Sequence, residues 1–168
     1  PYARPKTAYG LLSAVKKTIL EEPARVRMDT VILTNEIDSY YFERMFNDFN
    51  GHAKEPACGT VGCIAGWAYA LTRSKGEKIK EAEIGPDVGE GLFGGNPDIV
   101  RWGKDGLGDD REYSQSLCNL FYCNFPPGPS GTPEYAAKVA RNIERFQKQW
   151  RSRLLKTKIK PREKVTRG

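Results

Sequence analysis

Apolar residues recur every three or four positions in four stretches of this chain, and this spacing predicts amphipathic helices. The stretches are Ala8–Glu22, Tyr40–Phe49, Arg111–Tyr122 and a last one from Thr132 to about Leu155. A proline at position 23 ends the first helix, because its ring cannot continue the hydrogen-bonded turn. The last helix begins with a threonine N-cap, a proline in the first helical position and a glutamate in the first turn.

A fifth stretch, residues 57–71, consists almost entirely of apolar or very small side chains. It reads Ala-Cys-Gly-Thr-Val-Gly-Cys-Ile-Ala-Gly-Trp-Ala-Tyr-Ala-Leu, and Thr60 is a suitable N-cap for a helix from Val61 to about Thr72. Because neighbours can approach such a helix closely on every side, we predict that it is central and buried. The predicted fold class is therefore mainly α, a compact bundle of about five helices around this small-residue helix.

The segments between these helices predict one domain with a long surface loop. Residues 26–33 are short and β-branched, which favours an irregular link, with a short strand as the alternative. Residues 85–110 contain eight glycines, two prolines and scattered apolar residues, as in a loop laid over the body of a domain. Residues 124–131 form a Pro/Gly connector. We expect a single helical domain over residues 1–155 and a basic tail over residues 156–168.

The net charge of +6 conceals an uneven distribution along the chain. From Lys138 to the last residue there are 12 Lys and Arg residues and two Glu residues, a net charge of +10. The preceding 137 residues carry 15 basic and 19 acidic groups, a net charge of −4. A mildly acidic body thus precedes a basic extension, which is either a solvated surface or a contact site for a polyanion.

The last 18 residues are rich in Lys and Arg with few apolar residues between them, and Pro161 favours an extended conformation there. This pattern suits a segment that follows phosphate groups without reading bases. The candidate residues for binding nucleic acid or an acidic protein surface are Arg151, Arg153, Lys156, Lys158, Lys160, Arg162, Lys164 and Arg167.

Four cysteines form two pairs, Cys58 with Cys63 and Cys118 with Cys123, each separated by four residues. This spacing is at the long end for zinc ligands, and helical residues five apart point about 140° away from each other. Buried apolar roles are therefore favoured for Cys63 and Cys118, and a disulfide is disfavoured in a reducing compartment. A zinc site at the four cysteines stays an alternative, as does a cysteine- or zinc-dependent module centred on Cys58, Cys63 and His52.

Other motifs exclude several functional classes. No apolar run reaches the length of a membrane span, so we expect no membrane contact. The glycine-rich residues 89–95 lack the Gly-Lys-Ser/Thr of a phosphate-binding loop, and residues 105–110 lack the ligand pattern of an EF-hand. We accordingly predict no cofactor and no catalytic residues.

The stretch Cys58-Gly-Thr-Val-Gly-Cys-Ile-Ala-Gly-Trp-Ala resembles a motif in a group of uncharacterised bacterial and phage proteins. Those proteins carry Cys-Gly-Thr-x-x-Cys-x-Ala-Gly-Trp ahead of a helix that begins after a threonine. The resemblance covers residues 50–150 and implies a phage or mobile-element origin. It carries no functional residue over to this chain, and the Gly-rich loop and basic tail depart from it.

These observations favour a non-enzymatic interaction or assembly protein of phage or mobile-element origin. Its basic C-terminal segment would contact nucleic acid or an acidic partner, within a larger assembly. The first residues contain no apolar leader segment, which favours a cytoplasmic or virion location.

Overall fold

The structure, a computed structural model, describes residues 5–28, 32–33, 61–72, 91–95 and 109–160. In these ranges the chain is mainly α-helical, as predicted, with five α-helices and one pair of two-residue strands. The helices are α1 (Ala8–Glu21), α2 (Ile64–Thr72), α3 (Asp109–Cys118), α4 (Pro133–Gln149) and α5 (Arg151–Lys156), and the strands are β1 (Ile32–Leu33) and β2 (Val61–Gly62). The predicted helix over residues 40–49 lies outside the described residues.

Helix α1 begins where the sequence predicts and ends at Glu21, one residue before the predicted end. The Thr7 hydroxyl accepts a hydrogen bond from the Gly10 backbone N–H at 3.1 Å, which satisfies one N–H group of the first turn. The apolar stripe Leu11, Leu12, Val15 and Ile19 is fully buried. A short 3-10 helix, Pro23–Arg25, follows directly. Helix α1 therefore forms one wall of the core, against which α2, α4 and α5 pack.

Helix α2 is buried on most of its circumference, as its small residues predict. Seven of its nine residues are buried, so its neighbours approach it closely. Its predicted start at Val61 is wrong, because Val61–Gly62 instead pairs antiparallel with Ile32–Leu33. A backbone engaged in this ladder cannot also make the first helical turn, so α2 begins at Ile64. Residues 26–33 accordingly end in a short strand, which was the alternative to the irregular link that the sequence favours.

Helix α3 starts at Asp109, two residues before the predicted position, and continues as a π-helical turn over Asn119–Cys123. Its predicted apolar face is buried, since Tyr113, Leu117, Leu120 and Phe121 all contribute to the core. In the described part of the glycine-rich segment, residues 91–95, the two apolar side chains are buried as well. One of them, Phe93, packs edge-on against Phe121 with ring centroids 5.4 Å apart.

Helix α4 begins as predicted, with the Thr132 hydroxyl accepting a hydrogen bond from the Tyr135 N–H at 3.2 Å. It does not run unbroken to Leu155, because the backbone at Trp150 leaves the helical conformation (φ −112°, ψ 24°) before α5 begins. The Trp150 ring packs edge-on against Tyr113 with centroids 5.2 Å apart. No glycine or proline stands at this point, and tertiary packing of the ring accompanies the break.

The chain after α5 is tied to the start of α1. The Ala8 N–H donates to the Thr157 carbonyl and the Ile159 N–H donates to the Lys6 carbonyl, each at 2.9 Å. These bonds form an isolated antiparallel bridge between Thr7 and Lys158. Residues 157–159, which belong to the predicted basic tail, are therefore hydrogen-bonded to the start of α1.

Candidate functional site

The outward face of α4 carries a row of cations. Lys138, Arg141, Arg145 and Lys148 lie opposite the buried stripe of this helix, at spacings of three, four and three residues. This spacing brings successive side chains to one face with their Cβ atoms about 5–6 Å apart. Arg141, Arg145 and Lys148 are exposed and Lys138 is half-buried. These four residues are called the α4 cationic row below, and they extend over about 15 Å of helix.

Few carboxylates oppose this charge. Residues 133–160 contain nine Lys and Arg residues and only two acidic residues, Glu134 and Glu144. The Glu144 carboxylate already lies 3.3 Å from the Lys16 ammonium of α1, so it is balanced from outside the row. Within the described ranges, no member of the α4 cationic row forms an ion pair. The row therefore presents an excess of positive charge to solvent.

Of the predicted binding residues, Arg151 and Arg153 lie on α5 and both contact aromatic rings. The Arg151 guanidinium donates a hydrogen bond to the Tyr9 hydroxyl at 3.0 Å and remains exposed. The Arg153 guanidinium lies 4.0 Å from the centre of the Tyr113 ring and 2.8 Å from the Asp110 carboxylate. Arg153 therefore holds α5 against α3, and Asp110 partly balances its charge.

Lys156, Lys158 and Lys160 are exposed at and beyond the end of α5. The bridge between Thr7 and Lys158 brings Lys6, also exposed, next to this segment. The ordered chain thus places a fourth lysine beside three predicted ones, although more than 140 residues of sequence separate them. The remaining predicted residues, Arg162, Lys164 and Arg167, lie outside the described residues.

The cysteines give no evidence of a metal centre in the described ranges. Cys63 is buried directly before α2 and Cys118 is half-buried at the end of α3. Cys123 is the last residue of the π-helical turn, whereas Cys58 and His52 lie outside the described residues. No group of three His, Cys, Asp or Glu residues in the described part of the chain could hold a metal ion. The module centred on Cys58, Cys63 and His52 therefore stays a prediction.

Tyr113, which contacts Arg153, has a shifted pKa. Burial raises the pKa of Tyr113 to about 12, and the positive charge of Arg153 acts in the opposite direction. The Tyr113 hydroxyl donates a hydrogen bond to the Phe93 carbonyl, which keeps the neutral phenol satisfied inside the core. This tyrosine is therefore a packing residue with its proton held firmly in the folded state.

We expect the free energy of unfolding to fall as the pH rises from about 10 to about 12. The folded state binds the Tyr113 proton more tightly than the unfolded chain, so this stabilisation is complete below the unfolded pKa of about 10 and is lost above it. A shift of about two pKa units corresponds to roughly 2–3 kcal/mol. Urea unfolding of the wild type and of Tyr113→Phe at about pH 9 and pH 11.5 measures the difference. Equal losses in the two proteins would contradict this assignment, since the other titrating groups are common to both.

The predicted binding residues include neither the α4 cationic row nor Phe125. The sequence does indicate the row, because its members recur at helical spacing on the side opposite the apolar stripe. The predicted binding residues, however, include only cations from Arg151 onward. Phe125 has no such signal, because an aromatic residue in a Pro-rich connector can be buried or exposed. Its side chain is 49% exposed.

Comparisons of this chain with protein-family models, with curated proteins and with solved structures found no match. The resemblance at residues 58–68 therefore stays a prediction. None of the described helices has the length and apolar character required to cross a lipid bilayer.

Proposed function

We propose that this protein is a non-enzymatic interaction protein that binds nucleic acid on the exposed cations of α4 and of the chain that follows it. The observation that supports this proposal is the α4 cationic row, four Lys and Arg residues on one helix face that are paired with no carboxylate in the described ranges. A phage or mobile-element origin, as the motif resemblance implies, is consistent with such a partner.

The physical basis is the release of counterions from a polyanion. A protein that neutralises phosphates with Lys and Arg displaces condensed cations, so its affinity falls steeply with salt concentration. The α4 cationic row and the exposed lysines Lys156, Lys158 and Lys160 supply phosphate contacts of this kind on ordered backbone. Side chains held on a helix lose less conformational entropy on binding than those of a disordered tail.

The proposal is tested by neutralising three members of the row in the full chain. We expect Arg141→Gln/Arg145→Gln/Lys148→Gln to lower the slope of log affinity against log salt by about 2 for a single strand, since each phosphate contact contributes about 0.7. The measurement is the fluorescence anisotropy of a labelled 20-nucleotide strand between about 50 and 200 mM salt. Because the three side chains are exposed, the variant should keep the wild-type thermal midpoint within a few degrees.

Lys17→Gln provides the control, since it removes an exposed cation of α1 whose Nζ lies 3.8 Å from Glu21. It should leave the salt slope unchanged. An unaltered slope in the triple variant would refute a role for the α4 cationic row. Binding of polyglutamate that nucleic acid does not displace would instead identify an acidic protein as the partner and overturn the assignment to nucleic acid.

A further inference from the structure

An exposed aromatic residue belongs to the connector that is hydrogen-bonded to α4. Phe125 belongs to the connector between the π-helical turn and α4, and it is one of three large apolar side chains in the described ranges that are strongly exposed. The other two, Leu20 and Leu155, lie on helices and carry no aromatic face. A half-exposed phenylalanine leaves part of its apolar ring surface in water, where a ligand can cover it.

Two hydrogen bonds hold this connector against α4. The Asn142 side-chain amide donates to the Asn124 carbonyl at 3.3 Å, and the Lys138 ammonium donates to the Pro127 carbonyl at 3.1 Å. Residues 138 and 142 lie one helical turn apart on α4. Phe125 lies between the two tethered carbonyls in the chain, so its backbone runs alongside that turn.

The connector itself is stiff. The rings of Pro126 and Pro127 fix two successive φ angles, which limits the conformations available to the segment after Phe125. Gly128 then turns the chain with φ at +104°, a conformation that glycine adopts readily. The aromatic ring is therefore presented from a backbone with little freedom, which lowers the entropy cost of binding a ligand on it.

Two further cations of α4 lie at or next to the helix position that holds the connector. The Arg145 guanidinium donates to the Asn142 side-chain oxygen at 3.4 Å, so Arg145, Asn142 and the connector form one continuous contact. Arg141 is exposed and directly precedes Asn142 in the helix. An aromatic face flanked by cations is the arrangement by which proteins hold unpaired bases together with their phosphates.

We propose that Phe125 stacks on a base of single-stranded nucleic acid while Arg141 and Arg145 bind the adjoining phosphates. This inference rests on the proposed function and adds the class of nucleic acid. A duplex offers its phosphates to the α4 cationic row but keeps its base faces stacked inside, so it gains nothing from Phe125. An acidic peptide would likewise use the cations without an obligatory aromatic contact.

The test compares two probes with the same number of phosphates, a strand of 12 deoxythymidines and a 12-nucleotide abasic strand. We expect Phe125→Ala to weaken binding of the thymidine strand by at least about fivefold, because stacking of one base contributes about 1–3 kcal/mol. Binding of the abasic strand should change by less than about twofold. Phe125→Trp should restore the preference for bases, whereas Phe125→Leu, which keeps the apolar bulk, should not.

Leu155→Ala serves as the control, since it removes an exposed apolar side chain of α5 and should affect neither probe. Equal losses for both strands in Phe125→Ala, or full rescue by Phe125→Leu, would overturn the stacking role. The wild-type protein distinguishes this failure from failure of the proposed function. If the wild-type protein binds both strands equally, only the stacking inference is wrong. If it binds neither strand, the assignment to nucleic acid is wrong as well.

Discussion

Trp67→Ala is expected to lower the free energy of unfolding by about 3–5 kcal/mol, the usual cost of truncating a buried aromatic residue. The Trp67 side chain is 4% exposed and sits in the buried helix α2. Its indole N–H donates to the Arg25 carbonyl at 3.1 Å, and the Arg25 guanidinium lies 4.4 Å from the ring centre. The substitution therefore leaves a cavity, removes a hydrogen bond and ends a cation–π contact, all in one place.

Trp67→Phe separates the loss of the hydrogen bond from the loss of the aromatic ring. It keeps an aromatic ring in the core but loses the hydrogen bond to Arg25, and we expect a smaller loss of roughly 1–3 kcal/mol. Urea unfolding followed by circular dichroism at 25 °C measures both variants. If Trp67→Ala proved no less stable than Trp67→Phe, the interior position of α2 would be wrong.

Leu154→Ala should cost about 2–5 kcal/mol, although Leu154 stands in the most basic part of the chain. Its side chain is fully buried, at 0% exposure, whereas the adjacent Leu155 is 41% exposed. The two substitutions delete the same atoms from neighbouring positions of α5. Leu155→Ala should therefore change the free energy of unfolding by no more than about 0.5 kcal/mol.

This pair tests whether α5 belongs to the folded body. Thermal unfolding at neutral pH should give a clearly lower midpoint for Leu154→Ala alone, and similar midpoints for the two variants would mean that α5 is not packed as described. The burial of Leu154 also limits what a truncation of the basic segment can show. Truncation after Trp150 would remove a core side chain together with the basic residues, so a loss of binding in that variant could not be assigned to charge.

Much of the helical framework follows from local patterns in the chain. The period of apolar residues located α1 and the greater part of α3 and α4, since a helix buries the face that its apolar side chains form. Threonine at position 132 marked the start of α4 because its hydroxyl can bond to the first turn wherever the helix packs. The burial of α2 followed from its lack of large polar side chains.

The errors arose where partners distant in sequence compete with local preference. Val61 is compatible with a helix, but its backbone pairs with Leu33. Trp150 continues the apolar stripe of α4, yet it packs against Tyr113 and the helix breaks there. The two contacts join residues 28 and 37 positions apart, beyond the range of any local pattern.

For the candidate site, too, the sequence determined some properties and the tertiary structure determined others. The order of residues alone located the excess of positive charge, because summing the charges of a segment needs no coordinates. Folding then determined which of those charges are available: Arg153 is engaged with Asp110 and Tyr113, and Lys6 joins the basic segment from the opposite end of the chain. The position of the Phe125 connector beside α4 likewise depends on two hydrogen bonds between residues 11 and 18 positions apart. Helical periodicity and charge are properties of the chain as written, whereas the neighbours of a side chain exist only after distant segments have packed together.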